Sequence, residues 1–155
     1  MGRSAPAVII HVPLDSARGL RHPHGMYAAV TDDIQVTVLP QFVPERSDPA
    51  AERWFWAYTV EIANLGPRTV QLVSRHWQIT DANGHTEEVR GAGVVGEQPI
   101  LQPGKTFRYT SGCPLNTSSG IMAGTYRMVD EDGRAFDVTI PTFSLDSPSV
   151  RRVLN

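Results

Sequence analysis

With 155 residues, 14 Lys and Arg against 16 Asp and Glu, and a net charge of −2, the chain has the length of one domain and no excess of either sign. That balance argues against a nucleic-acid partner or an anionic membrane surface, and no apolar run approaches the roughly 20 residues of a membrane span. The single cysteine, Cys113, rules out an intramolecular disulfide and suits a reducing compartment, the cytoplasm.

Residues 1–27 are rich in Pro, Gly, Arg and His without sustained periodicity, so a flexible or loosely docked extension is expected there. Val8-Ile9-Ile10 is cut short by His11 and Pro13, which does not fit a secretory signal. The ordered domain is expected over 28–148, with 149–155 as a tail.

Ile34, Val36 and Val38 alternate with Gln35 and Thr37, the period-2 pattern of a half-buried strand. The Pro44–Pro49 stretch ends it. A second strand, Trp54 to Ile62, places Trp54, Trp56, Tyr58, Val60 and Ile62 on one face, a stripe read as core. Asn64-Leu65-Gly66-Pro67 is a turn. Val70–Thr80 forms the third strand, in which Val73, Arg75, Trp77 and Ile79 share one parity. An arginine on that face must be paired, lie at a sheet edge or be displaced by a bulge. Asp81-Ala82-Asn83-Gly84 closes a hairpin, with Asn-Gly favouring a type I′ turn. Thr86–Val95 returns as the fourth strand. Strands around Phe107–Thr110, Gly120–Val129 and Phe136–Ile140 follow, and Pro141 and Pro148 are expected to end the order. Seven short strands with frequent turns and no helix predict an all-β, two-sheet antiparallel sandwich of the immunoglobulin or fibronectin type III kind. Tyr126 stands where such sandwiches place a corner tyrosine.

The fourth strand runs into Arg90-Gly91-Ala92-Gly93-Val94-Val95-Gly96-Glu97-Gln98-Pro99, which has the G-x-G-x-x-G spacing of a dinucleotide cradle. In such cradles a strand turns into a helix whose N-terminal amides hold pyrophosphate. No helix follows here, so the first reading is structural: bulge, turn or close chain approach. The second is an anion-binding nest of backbone amides at Gly91, Gly93 and Gly96, with Arg75 and Arg90 neutralising a phosphate. Arg75 is the better ligand candidate. His76, on the opposite strand face, reads as a surface histidine.

No His, Cys or carboxylate spacing resembles a metal site, and Asp130-Glu131-Asp132 reads as a solvated turn. Cys113 lacks a sequence-local base and reads as a buried apolar residue. No catalytic residue, metal or cofactor is expected.

The phrases Ser74-Arg75-His76-Trp77, Thr80-Asp81-Ala82-Asn83-Gly84, Val89 through Pro99, Tyr109 through Leu115, Gly124-Thr125-Tyr126 and Ile140-Pro141 together resemble the ApaG (CorD, DUF525) family over roughly residues 27–148. The first 25 residues have no counterpart in that resemblance. It implies a fibronectin type III-like sandwich without a catalytic mechanism. It also implies a link to cobalt resistance and magnesium efflux, proximity to diadenosine tetraphosphate hydrolase genes in bacteria, and use as a binding module in larger eukaryotic proteins. Two functional expectations of different class result. One is a non-enzymatic protein-binding module. The other is a nucleotide or polyphosphate sensor of the dinucleoside polyphosphate type. The unpaired edge strands of a sandwich also leave room for a homodimer.

Overall fold

The computed structural model describes residues 8–9 and 25–148. Among them are ten strand segments: β1 (Val8–Ile9), β2 (Tyr27–Thr31), β3 (Ile34–Phe42), β4 (Trp54–Asn64), β5 (Val70–Asp81), β6 (Thr86–Ala92), β7 (Ile100–Leu101), β8 (Thr106–Leu115), β9 (Ser119–Asp130) and β10 (Ala135–Asp146). Every pairing is antiparallel. One sheet runs β1-β8-β4-β3-β2 and the other β10-β9-β5-β6, with β7 also on β5. The fold is the expected all-β sandwich. The seven expected strands are β3, β4, β5, β6, β8, β9 and β10.

The additions are β1, β2 and β7. β2 pairs with β3 through Asp32 and Asp33, whose φ angles of 47° and 67° make a two-residue hairpin turn. Asp tolerates the left-handed region better than most residues, because its short carboxyl can bond locally. Val8 and Ile9 pair with Gly112 and Ser111 of β8. Gly25–Tyr27 of the expected extension are also described, Tyr27 as the first residue of β2, while residues 1–7 and 10–24 and the expected tail at 149–155 lie outside the described residues.

The core follows from alternation. Val36, Val38, Val60, Ile62, Leu72, Tyr126, Met128, Val138 and Leu145 are fully buried between the sheets, with Trp56, Tyr58 and Trp77 nearly so. At roughly 1.5–3 kcal/mol for each large apolar side chain, this burial is the main favourable term of folding. Trp56 also donates its Nε1–H to the Asp146 carbonyl at 3.0 Å.

Two bulges correct the simple strand readings. In β5 the register against β9 shifts between Leu72 and Ser74. Val70 and Leu72 face the core before the shift, and Trp77 faces it after. The extra residue changes phase, so Val73 leaves the inward set and Arg75 joins Trp77 on the inner face. In β10 the register against β9 shifts between Ile140 and Phe143, at Pro141. Pro141 does not end the strand. β10 is a sheet edge, where a missing N–H costs no ladder bond, and the chain continues paired to Asp146.

The Asn83-Gly84 hairpin also differs from expectation. Only Gly84 has positive φ, at 85°, and its amide bonds to the Asp81 carbonyl at 3.0 Å. Asp81 Oδ1 accepts the amides of Asn83 and His85. That carboxylate favours the longer loop ending in a left-handed glycine over the two-residue type I′ turn. Asp130 repeats the device, accepting the amides of Asp132 and Arg134 ahead of Gly133.

Candidate functional site

β6 and β7 share one edge of β5, and residues 93–99 leave the sheet between them. The glycine segment is this excursion. Val94 donates its amide to Glu97 O and accepts from Glu97 N, both at 2.8 Å. The two residues between have φ of 42° (Val95) and 80° (Gly96), as a type I′ turn requires. Gly93, at φ 62°, sits so tightly that an added β-carbon would lie 2.2 Å from Glu97 O. The segment is therefore a miniature hairpin. Its apolar residue Val94 is 1% exposed and plugs the core.

The amides of Gly93, Val94 and Glu97 are spent on protein carbonyls, the first on Val73 O at 2.8 Å. The hairpin thus uses much of the donor capacity that an anion nest needs.

Arg75 holds this hairpin from below. Its Nη1 donates to Ala92 O at 3.1 Å and Gly93 O at 2.9 Å. Gly91 is its cross-strand partner. A β-carbon on residue 91 would lie 2.9 Å from the guanidinium carbon, so that glycine makes room for arginine.

Arg90 projects from the other face of β6, exposed, with Nη2 3.0 Å from Glu88 Oε1. His76, opposite Arg90 in the ladder, meets the same Glu88 oxygen at 3.0 Å. These two bonds, that of His76 first, hold the Glu88 carboxyl below its usual range. Arg75 and Arg90 therefore project from opposite faces of one sheet, although both border a shallow depression of about 280 Å³ together with Gly91. Gly91, Gly93 and Gly96 do gather beside Arg75.

The inner side of Arg75 lines a cavity of about 140 Å³ between the sheets, with Tyr58, Trp77, Val95, Tyr109 and Ser111. Tyr58 packs edge-on to Trp77, with ring centroids 5.4 Å apart. Tyr58 and Ser111 hydrogen-bond through their side chains. The Tyr109 and Tyr126 hydroxyls bond across the sheets at 2.5 Å. Tyr126, at the position expected for a corner tyrosine, is thus an inter-sheet clasp. Burial pushes the hydroxyls of Tyr58, Tyr109 and Tyr126 far above the usual tyrosine range, against which the Arg75 charge acts at each. All three stay neutral at physiological pH.

Arg68, Arg90, Arg108, Arg127 and Arg134 each pair with a carboxylate. Among the described residues Arg75 pairs with none, though it is half-buried. Tyr58, Val95, Tyr109 and Ser111 were not anticipated as its neighbours. They come from the opposite sheet and the hairpin, and no spacing along the chain announces them.

Cys113 is buried, and burial pushes its thiol up to about 12, so it is no nucleophile at neutral pH. In the acidic turn, Asp130 binds backbone amides, Glu131 accepts the Thr69 amide at 2.8 Å, and Asp132 pairs with Arg68. No group of three or more potential metal ligands occurs among the described residues.

The fold and site define a fibronectin type III-like sandwich whose only phosphate-like motif is a hairpin. The family model described as "ApaG domain" (DUF525) matches residues 44–130. The chain is 70% identical over 130 residues to Protein ApaG of Methylocella silvestris, covering 84% of this chain and all of that one. Protein ApaG of Beijerinckia indica is 67% identical with the same coverage. The crystal structure titled as the putative ApaA protein from Bordetella pertussis shares 52% identity and a TM-score of 0.74, over 77% of this chain and 98% of that one. The chain belongs to the ApaG family.

Proposed function

We propose that this chain is a non-enzymatic protein-binding module that recognises its partner at the Arg75 cavity and the adjoining edge of β8. The observation that carries this reading is Arg75 itself, a half-buried cation without a carboxylate partner, set among aromatic walls at the mouth of an inter-sheet cavity. Aromatic residues and arginine in a partly desolvated pocket are the composition of binding hot spots. Among the described residues, β8 pairs with β4 along its length and on its other side only with Val8–Ile9, an edge suited to an added strand from a partner or a second copy. A buried, unreactive thiol and an arginine tied to carbonyls suit recognition better than turnover.

A cytoplasmic role in cobalt and magnesium homeostasis, exerted through the partner, accords with the family resemblance and the single cysteine.

The second reading, nucleotide or polyphosphate binding, has one favourable observation. A shallow depression of about 280 Å³ is bordered by Arg75, His76, Arg90 and Arg127. Glu88 pairs with His76 and Arg90, and Asp137 with Arg127, so a polyphosphate must displace both carboxylates.

The test is a photo-cross-linking residue at Thr106, on the β8 edge, introduced in cells. Under the binding-module reading it yields a discrete adduct that Arg75→Met abolishes. Specific hydrolysis of ATP, GTP or diadenosine tetraphosphate by pure protein, lost in the same variant, overturns it.

A further inference from the structure

We propose that the Arg75 cavity is a carboxylate-binding subsite, a deeper statement of the binding-module reading on which it rests. Shape, charge and donor geometry agree on this ligand class.

Size comes first. A volume of about 140 Å³ corresponds to roughly four or five waters at ~30 Å³ each. That space takes a carboxylate on a short apolar stem.

Charge comes next. A guanidinium in a partly desolvated cavity calls for an anion. Nη1 is committed to Ala92 O and Gly93 O, which fixes the plane of the group. The remaining N–H donors of the fork have no protein acceptor among the described residues and suit the two oxygens of a carboxylate. The Tyr58 and Ser111 hydroxyls, bonded to one another, line the same cavity. A phosphate dianion fits less well, because a single cation faces the cavity and the amides of Gly93, Val94 and Glu97 are bonded to protein carbonyls.

The walls complete the match. Trp77, Val95 and Tyr109 surround the guanidinium with apolar surface for the aliphatic stem. The carboxylate can come from a free metabolite or from an acidic side chain on an extended partner segment. The latter source connects the subsite to the β8 edge, because Tyr109 lies on β8 just before the Ser111–Gly112 stretch that Val8–Ile9 pairs with.

The experiment is an NMR titration of the full chain, following the Trp77 indole N–H and the Arg75 Nε–H. Probes are butyrate, the uncharged isostere butyramide, and an extended heptapeptide with a central Glu or Gln. Butyrate is expected to shift both signals saturably, and to bind about tenfold or more tightly than butyramide. Arg75→Met should abolish that preference, and Arg90→Gln should leave it intact. The comparison of butyrate with butyramide on the wild-type chain holds even if Arg75→Met fails to fold. Equal affinity for the two, or no shift at Arg75 and Trp77, overturns the subsite. A peptide that binds no more tightly than butyrate leaves the subsite standing for a free carboxylate and removes the binding-module reading.

Discussion

Arg75 and Gly91 face one another across the β5–β6 ladder, and the guanidinium fills the space that a β-carbon on residue 91 would occupy, 2.9 Å from its central carbon. The contact is with the far end of a flexible side chain, so Gly91→Ala is expected to displace Arg75 with little effect on the fold. Stability should fall by no more than about 1 kcal/mol in chemical denaturation. The hydrogen bonds to Ala92 O and Gly93 O should be lost, together with anion binding in the cavity. Wild-type chemical shifts for the Arg75 Nε–H in this variant would refute the account.

Val95 adopts φ 42° at the first centre of the type I′ turn, a region that costs a β-branched residue roughly 1 kcal/mol or more. Asn tolerates that conformation. Val95→Asn is therefore expected to raise the unfolding free energy from chemical denaturation by about 0.5–1 kcal/mol after loss of some apolar contact. The same variant should weaken ligand binding, because Val95 walls the cavity. Strain kept where a site needs a particular side chain is the physical meaning of that trade. A destabilised Val95→Asn protein would show that packing outweighs the backbone term.

Gly124 stands where β9 passes β5, and an added β-carbon would lie 2.2 Å from the His76 carbonyl oxygen. Here the obstacle is sheet backbone, which cannot swing aside. Gly124→Ala should cost about 2–4 kcal/mol. Thermal unfolding would show the loss, in contrast to the mild Gly91→Ala.

Acid sensitivity follows from two carboxyls held low. Glu88 lies below its ordinary 4.5 through hydrogen bonds from His76 and then Arg90. Asp130 lies below 3.8 chiefly through the Arg134 amide. A carboxyl depressed in the folded state contributes stability that is complete above its ordinary value. That contribution is lost as pH falls through the lower folded value. The loss should begin near pH 4.5 for Glu88 and near 3.8 for Asp130, and continue below. Denaturation of Glu88→Gln and Asp130→Asn between pH 7 and pH 2.5 should show a shallower acid decline than wild type. Parallel profiles would exclude this origin.

Much of this architecture is legible along the chain. Alternation over Ile34–Val38 and Trp54–Ile62 specifies strands, because side chains on a pleated strand alternate faces whatever the partner. The absence of a helix after Gly96 already weakens the phosphate reading of the glycine spacing. The bulges at Val73 and Pro141 are not legible in that way. A bulge is a mismatch between two strands, so it has no signature in one of them alone. The sheet order places β8 beside β4 and not beside β7, its neighbour in the chain.

The sequence by itself determined the sandwich, the turn positions and the family, since these rest on local backbone preference and short-range pattern. Only the tertiary structure decided the site. The phase change at Val73 turned Arg75 inward, the ladder set the Arg90 side chain on the opposite face, and the facing sheet brought Tyr58, Tyr109 and Ser111 to Arg75. Each depends on which distant strands pair and in what register, and register is set by burial of the whole hydrophobic face at once.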